Sequence, residues 1–103
     1  MKNNMEKYNA YMNMNTKQPF DLPAIADNRK SYYGKATVFF AGNRAILKSY
    51  ETDVAEIDES GNFRRLWDGY SATTMRHINS FCALFGIDGG GKKWWDSLEV
   101  MAG

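Results

Sequence analysis

Lys35-Ala36-Thr37-Val38-Phe39-Phe40-Ala41-Gly42-Asn43-Arg44-Ala45-Ile46-Leu47-Lys48-Ser49-Tyr50 is the stretch that decides how this chain folds. Two runs rich in aliphatic and aromatic residues flank Gly42-Asn43. A glycine there supplies the positive φ that a two-residue hairpin turn demands. The turn fixes the register. Ala36, Val38 and Phe40 pair with Ser49, Leu47 and Ala45 on one face. Lys35, Thr37 and Phe39 pair with Tyr50, Lys48 and Ile46 on the other. The first face is apolar and should meet the core, whereas the second is mixed and partly wet.

Working outward, a third strand is expected over residues 54–58, with Ala55 and Ile57 inward. Ser60-Gly61-Asn62 then turns the chain into a fourth strand over 63–67. Glu56 and Asp58 lie where Arg64 and Arg65 can reach them across the strands, in exposed pairs worth about 0–1 kcal/mol. Ser71 or Thr73 can cap the helix that follows. Its apolar stripe is Met75, Ile78, Cys82 and Phe85, flanked by Phe81, with Arg76, Ser80 and Ala83 opposite. Gly86 suits the helix stop. After Gly89-Gly90-Gly91, a short segment over 92–98 can dock Trp94 or Trp95 together with Leu98. The expected class is α+β: a three- to four-stranded antiparallel meander packed against one main helix, plus a short C-terminal helix.

A chain of 103 residues is the size of one domain. Residues 1–18 are rich in Met, Asn, Lys and Tyr. Met5, Tyr8 and Met12 fall at helical spacing, but the asparagines disfavour an isolated helix. Those residues are read as an arm, flexible or helical, that can order on a partner. A single domain over 19–103 follows. Pro19 and Pro23, set among Phe20, Leu22 and Ile25, mark an ordered connection. Thirteen basic and twelve acidic residues leave a net charge of +1. That excludes gross polycation and nucleic-acid-mimic behaviour but allows local patches. Cys82 is the sole cysteine, so no internal disulfide forms and a reducing interior is the simpler home. No apolar run approaches the ~20 residues of a membrane helix, and the N-terminus has no apolar core of the signal-peptide kind. The expected location is the cytoplasm, with no membrane contact. An edge strand at 35–41 or 63–67 could pair with a second copy, so monomer and homodimer both stay open.

Gly86-Ile87-Asp88-Gly89-Gly90-Gly91-Lys92-Lys93 has the spacing of a nucleotide-binding loop but fails its chemistry. Lys93 stands where a Ser or Thr must hold magnesium, and a helix precedes the loop instead of a strand. The remaining functional reading is that Lys92 and Lys93 contact phosphates; the plain one is a helix-to-helix connection. His77 and Cys82 are too few for a tetrahedral zinc site, and a buried thiol resists ionisation. Neither a metal nor a cofactor is expected. No pair of carboxylates is placed for acid–base work, so the chain is read as a non-enzyme. Asp53, Glu56, Asp58 and Glu59 make an acidic segment, either a solvated strand and turn or a local mimic of nucleic-acid phosphates or dock for a basic cleft. Tyr70, Thr73, Arg76 and His77 gather aromatic, hydroxyl, cationic and imidazole groups in one short stretch, which marks them as partner contacts. Tyr32, Tyr33, Tyr50, Trp67, Trp94 and Trp95 serve the core, an interface or base stacking; sequence does not separate these.

Three runs resemble a small domain of unknown function that recurs in Firmicutes and their phages, plasmids and integrative elements. They are Ser49-Tyr50-x-Thr52-x-Val54-Ala55, Phe63-Arg64-Arg65-Leu66-Trp67-x-Gly69-Tyr70-Ser71-x-Thr73-Thr74-x-Arg76-His77-Ile78-Asn79-x-Phe81, and Gly89-Gly90-Gly91-Lys92-x-Trp94-Trp95. The resemblance covers residues 49–98 and brings no catalytic residues. It implies a mobile-element setting, and by setting alone the chain is similar to anti-CRISPR inhibitors. The leading expectation is a binding protein that inhibits a bacterial defence nuclease, with a type II CRISPR effector foremost, by blocking a nucleic-acid- or guide-binding surface. Its contacts would be Tyr70, Thr73, Arg76 and His77, then Lys92, Lys93 and the acidic segment. The rival is a nucleic-acid-binding accessory domain of a phage or plasmid, with Arg76, Lys92 and Lys93 on phosphates.

Overall fold

The computed structural model describes residues 18–25, 27 and 30–101. The arm expected over 1–18 lies, apart from Gln18, outside the described residues. Five strands form one antiparallel sheet in chain order: β1 (Phe20–Asp21), β2 (Ala36–Ala41), β3 (Arg44–Ser49), β4 (Thr52–Ile57) and β5 (Phe63–Arg65). Helices α1 (Ala72–Phe85) and α2 (Gly91–Ser97) follow. This is the α+β meander of the sequence reading with one strand more. The addition, β1, comes from the proline-bounded connection: Phe20 and Asp21 sit opposite Val38 and Thr37.

The β2–β3 hairpin has the register that its turn dictates, Val38 opposite Leu47 and Phe40 opposite Ala45. Gly42 takes φ 63. Strand β4 departs from simple alternation. Leu47 faces Ala55, but Lys48 faces Asp53, so Val54 is the extra residue of a bulge. The bulge turns Val54 inward beside Ala55 and Ile57. In β5, alternation separates the two arginines. Arg64 points outward, with Nη2 3.1 Å from Asp58 Oδ2. Arg65 points inward and meets no carboxylate, contrary to the pairing expected of it. It is buried, its guanidinium lies 4.4 Å from the Trp95 ring centroid, and it donates to the carbonyls of Trp67 at 2.7 Å and Trp95 at 2.8 Å.

Helix α1 starts where the Ser71 hydroxyl accepts the Thr74 N–H at 3.0 Å and stops at left-handed Gly86. Met75, Ile78, Phe81, Cys82 and Leu84 join Val38, Leu47, Val54 and Ala55 in one core. Trp95 is the tryptophan inside, and its Nε1 donates to Gly69 O at 2.9 Å. A Cβ at Gly69 would collide with the Trp67 ring, so a larger residue there requires that ring to move. Trp94 is half-buried, with its ring centroid 5.0 Å from that of Phe63.

The side of α1 that carries Ser80 is not solvated. Ser80 is fully buried because Leu22, Ile25, Asp27 and Tyr32, from the stretch before β2, lie over that side as a strap. Ile25 N–H donates to Ser80 Oγ at 3.1 Å, and Ser80 Oγ donates back to Ile25 O at 3.2 Å. The Tyr32 hydroxyl lies 2.7 Å from Ser80 Oγ. The helical wheel places Ser80 opposite the stripe correctly; it cannot see that a second layer covers it.

Both edges expected to be open are partly occupied. β1 pairs with the first half of β2, and Leu22 N–H donates to Ala36 O at 2.9 Å. At the other edge Val100 bridges Arg65, and Met101 N–H donates to Arg65 O at 2.7 Å. Among the described residues, no helix is long and apolar enough to cross a membrane.

The strap and the core each have a thermodynamic signature. Ser80→Ala should destabilise the domain by about 1–3 kcal/mol, the cost of stranding buried hydrogen-bonding groups; an outward-facing helix serine would change stability by less than about 0.5 kcal/mol. The urea midpoint distinguishes the two. Burial pushes the Cys82 thiol up from 9.0 to about 12. The unfolded thiol ionises first as pH rises, so stability is intact below 9.0 and declines between 9.0 and about 12. Urea midpoints across that window should fall less steeply in Cys82→Ala.

Candidate binding cleft

At one end of the sheet, the turn before β2, the β3–β4 loop and the first half of α1 enclose a cleft of about 200 Å³. Its lining is Ser31, Tyr32, Tyr33, Lys35, Tyr50, Thr73, Arg76 and His77. Lys35 N–H donates to Tyr32 O at 3.0 Å, closing a turn whose central residues, Tyr33 and Gly34, have φ 53 and 79. Positive φ at both central positions is the type I′ pattern, which favours Gly, Asn and Asp. Ser31 Oγ accepts the Tyr33 N–H at 2.8 Å. Tyr50 opens the two-residue loop between Ser49 and Thr52 at φ 55, a position where hairpins prefer glycine. Its N–H donates to Lys35 O at 2.8 Å.

Tyr33 and Tyr50 are the only non-glycine residues with positive φ among the described residues. The left-handed conformation costs an L-residue roughly 1–2 kcal/mol. At Tyr33 burial of the ring does not repay that cost, because the residue is 74% exposed; Tyr50, 49% exposed, recovers part of it.

The floor of the cleft is a buried polar joint. His77 is 2% exposed, so it is not the helix-border partner contact expected from its place in the sequence. The Tyr32 and Tyr50 rings cover it, with centroids 4.5 and 5.8 Å from the imidazole. His77 Nδ1 lies 2.8 Å from Ser49 Oγ, which lies 3.1 Å from Thr74 Oγ1. A serine–histidine bond of that length is one element of an activated nucleophile, but Ser49 is itself buried beneath the lining and outside it. No incoming carbonyl reaches its oxygen in this arrangement.

Arg76 is exposed on the rim, and its Nη1 donates to Asp27 Oδ1 at 2.9 Å. It therefore clasps the strap as well as lining the cleft. The Tyr32 hydroxyl donates to Asp27 Oδ2 at 2.9 Å and reaches Arg76 O at 3.2 Å. Burial raises the Tyr32 phenol above its usual 10.0; the Ser80 hydrogen bond opposes this and the Asp27 carboxylate adds to it. Lys35 and Thr73 complete the rim, both exposed.

Of the expected contacts, the structure thus brings Thr73, Arg76 and His77 to one cleft. Tyr70 and Lys92 meet elsewhere: Lys92 Nζ lies 5.1 Å from the Tyr70 ring centroid and 2.7 Å from Asp96 Oδ2. The Asp96 hydrogen bond raises Lys92 above its usual 10.5. Lys93 is exposed on α2. The glycine loop before it joins two helices, as its plain reading has it.

The acidic segment does not act as one surface. Glu56 is buried, bound by Arg44 Nη1 at 2.8 Å and approached by Arg64 Nε at 3.9 Å. Asp58 accepts the N–H groups of Ser60 and Asn62, each at 2.9 Å, together with Arg64. The Asn62 bond foremost, aided by those from Arg64 and Ser60, holds its carboxyl below the usual carboxylate range. Both acids are thus engaged by arginines of the same sheet, Glu56 buried and Asp58 half-buried at the turn before β5. Asp53 and Glu59 remain exposed. Among the described residues, no three of His, Cys, Asp and Glu gather as metal ligands.

Ser31, Tyr33, Lys35 and Tyr50 are lining residues that the motif reading passes over. A signal for two of them exists, since the hairpin register places Lys35 beside Tyr50. Fold and site together define a small α+β domain with a polar, tyrosine-rimmed cleft. Residues 20–97 match a family of unknown function (DUF8033), and the chain belongs to that family. No curated protein and no solved structure matches.

The strain at the rim has a measurable consequence. Tyr33→Asn should raise stability by about 0.5–1 kcal/mol, because Asn tolerates left-handed backbone and the lost ring is exposed. A fall in the thermal midpoint would show that the ring supports the fold.

Proposed function

We propose that the domain is a non-enzymatic recognition module with the tyrosine-rimmed cleft as its binding face. One observation carries this reading: both strained non-glycine residues are exposed tyrosines, and both rim the same cleft. Such strain persists where a purpose other than stability retains it. Exposed tyrosine suits recognition, since a large ring with a polar tip makes contact at low entropic cost.

The mobile-element setting suggested by the resemblance gives the binding a use. We propose that it restrains a bacterial defence nuclease in the host cytoplasm, with a type II CRISPR effector as the first to test. Partial cover of both sheet edges favours the monomer as the working form.

Comparative capture tests the binding face. Wild type and a folded Tyr33→Asn/Tyr50→Gly double variant would each serve as bait in nuclease-treated bacterial lysate. The proposal expects wild type to retain a protein that the double variant loses. Equal retention would exclude the cleft as the binding face. Full cleavage by a purified type II effector at excess wild-type protein would exclude that nuclease.

A further inference from the structure

The cleft lining divides into two chemistries. Tyr33 and Tyr50 offer exposed aromatic surface. Lys35 and Arg76 offer cations, and Ser31 and Thr73 offer hydroxyls. No carboxylate is part of the lining; Asp27, beneath the rim, is engaged by Arg76 and Tyr32. A ligand matched to this surface presents a flat ring to the tyrosines and an anion to Lys35.

We infer that the cleft binds one nucleotide unit of a single-stranded nucleic acid, with the base against the Tyr33 and Tyr50 rings and the phosphate at Lys35. The inference rests on the cleft being the binding face; it puts a nucleic acid there in place of the nuclease protein. Size supports it. About 200 Å³ is below the ~300–1,000 Å³ of sites for drug-sized ligands, which suits one base better than a dinucleotide cofactor. Strandedness follows from access, because a base inside a duplex is stacked and cannot reach a recess, whereas a single strand splays its bases out. The charge of the whole chain, +1, predicts the character of the binding. Affinity rests on stacking and one phosphate contact rather than a basic field, so its salt dependence is shallow, with a logarithmic slope of about −0.7 for single strands.

The test uses the full chain and fluorescence anisotropy with short labelled single-stranded RNA and DNA, the matching duplex, and an acidic peptide. Amide shift mapping on the same samples locates each ligand. The inference expects single strands to bind at least about tenfold more tightly than duplex. Tyr33→Ala and Tyr50→Ala should each weaken single-strand binding by about 5- to 150-fold, the range for loss of one stacked base. Lys35→Gln should reduce the salt slope by about 0.7. If Tyr50→Ala fails to fold, Tyr33→Ala and Lys35→Gln carry the test, because both side chains lie on the exposed rim. Absence of single-strand binding, or binding unchanged in these variants, overturns the inference. Free mononucleotides that saturate the same amides as tightly as the strand also overturn it in favour of a small nucleotide. Cleft amides that shift with the acidic peptide alone refute the nucleotide and leave the cleft as the binding face. Strands that shift amides only outside the cleft refute the nucleotide and leave the binding face to the capture experiment.

Discussion

The Tyr32 hydroxyl holds the cleft end of this molecule together. It lies against Ser80 Oγ, Asp27 Oδ2 and Arg76 O, so one oxygen joins the strap to the helix. Inside a low-dielectric interior such a joint is strong when every member is satisfied and costly when one is not. Among the described residues, no buried side-chain nitrogen or oxygen lacks a partner. With Tyr32 fixed, the path into β2 is short. The chain must reverse within the Tyr32–Lys35 turn, and it does so at the expense of left-handed backbone at Tyr33. Lys35 O then receives the Tyr50 N–H, which ties the second strained tyrosine to the first.

That dependence explains what the sequence reveals. The hairpin is legible because turn chemistry and period-two alternation are local properties of the 35–50 stretch. The limits of α1 are legible for the same reason, through Ser71 and Gly86. Ser80 is not, because its burial comes from residues ~50 positions away in the chain. Val54 is not, because a bulge in β4 breaks the alternation that would have turned it outward. The separation of Arg64 from Arg65 needs only strand parity, but it becomes visible only once the limits of β5 are known.

The site is legible in part. Thr73, Arg76 and His77 stand out as a cluster of polar chemistry, and the fold does bring them to one cleft. The role assigned to His77 fails because two tyrosines from other elements cover it. The acidic run reads as a surface because composition counts charges and ignores partners, whereas Arg44 and Arg64 absorb Glu56 and Asp58. The strain at Tyr33 and Tyr50 leaves no local trace, since tyrosine is not a residue that announces left-handed backbone. Together they cost about 2–4 kcal/mol, a sizeable fraction of the ~5–15 kcal/mol that keeps a domain folded. Stability alone would favour Gly or Asn at both positions.

The proposed binding face requires a cleft that is formed before any ligand arrives, and native-state hydrogen exchange tests this most directly. The amides to follow are Ile25, Lys35 and Tyr50, whose N–H groups bond to Ser80 Oγ, Tyr32 O and Lys35 O. If the strap and rim are locked by the Tyr32 joint, all three will exchange as slowly as the core amides of β3 and α1. Exchange at the rate of an open loop, with the core still protected, would contradict a cleft held ready for a ligand.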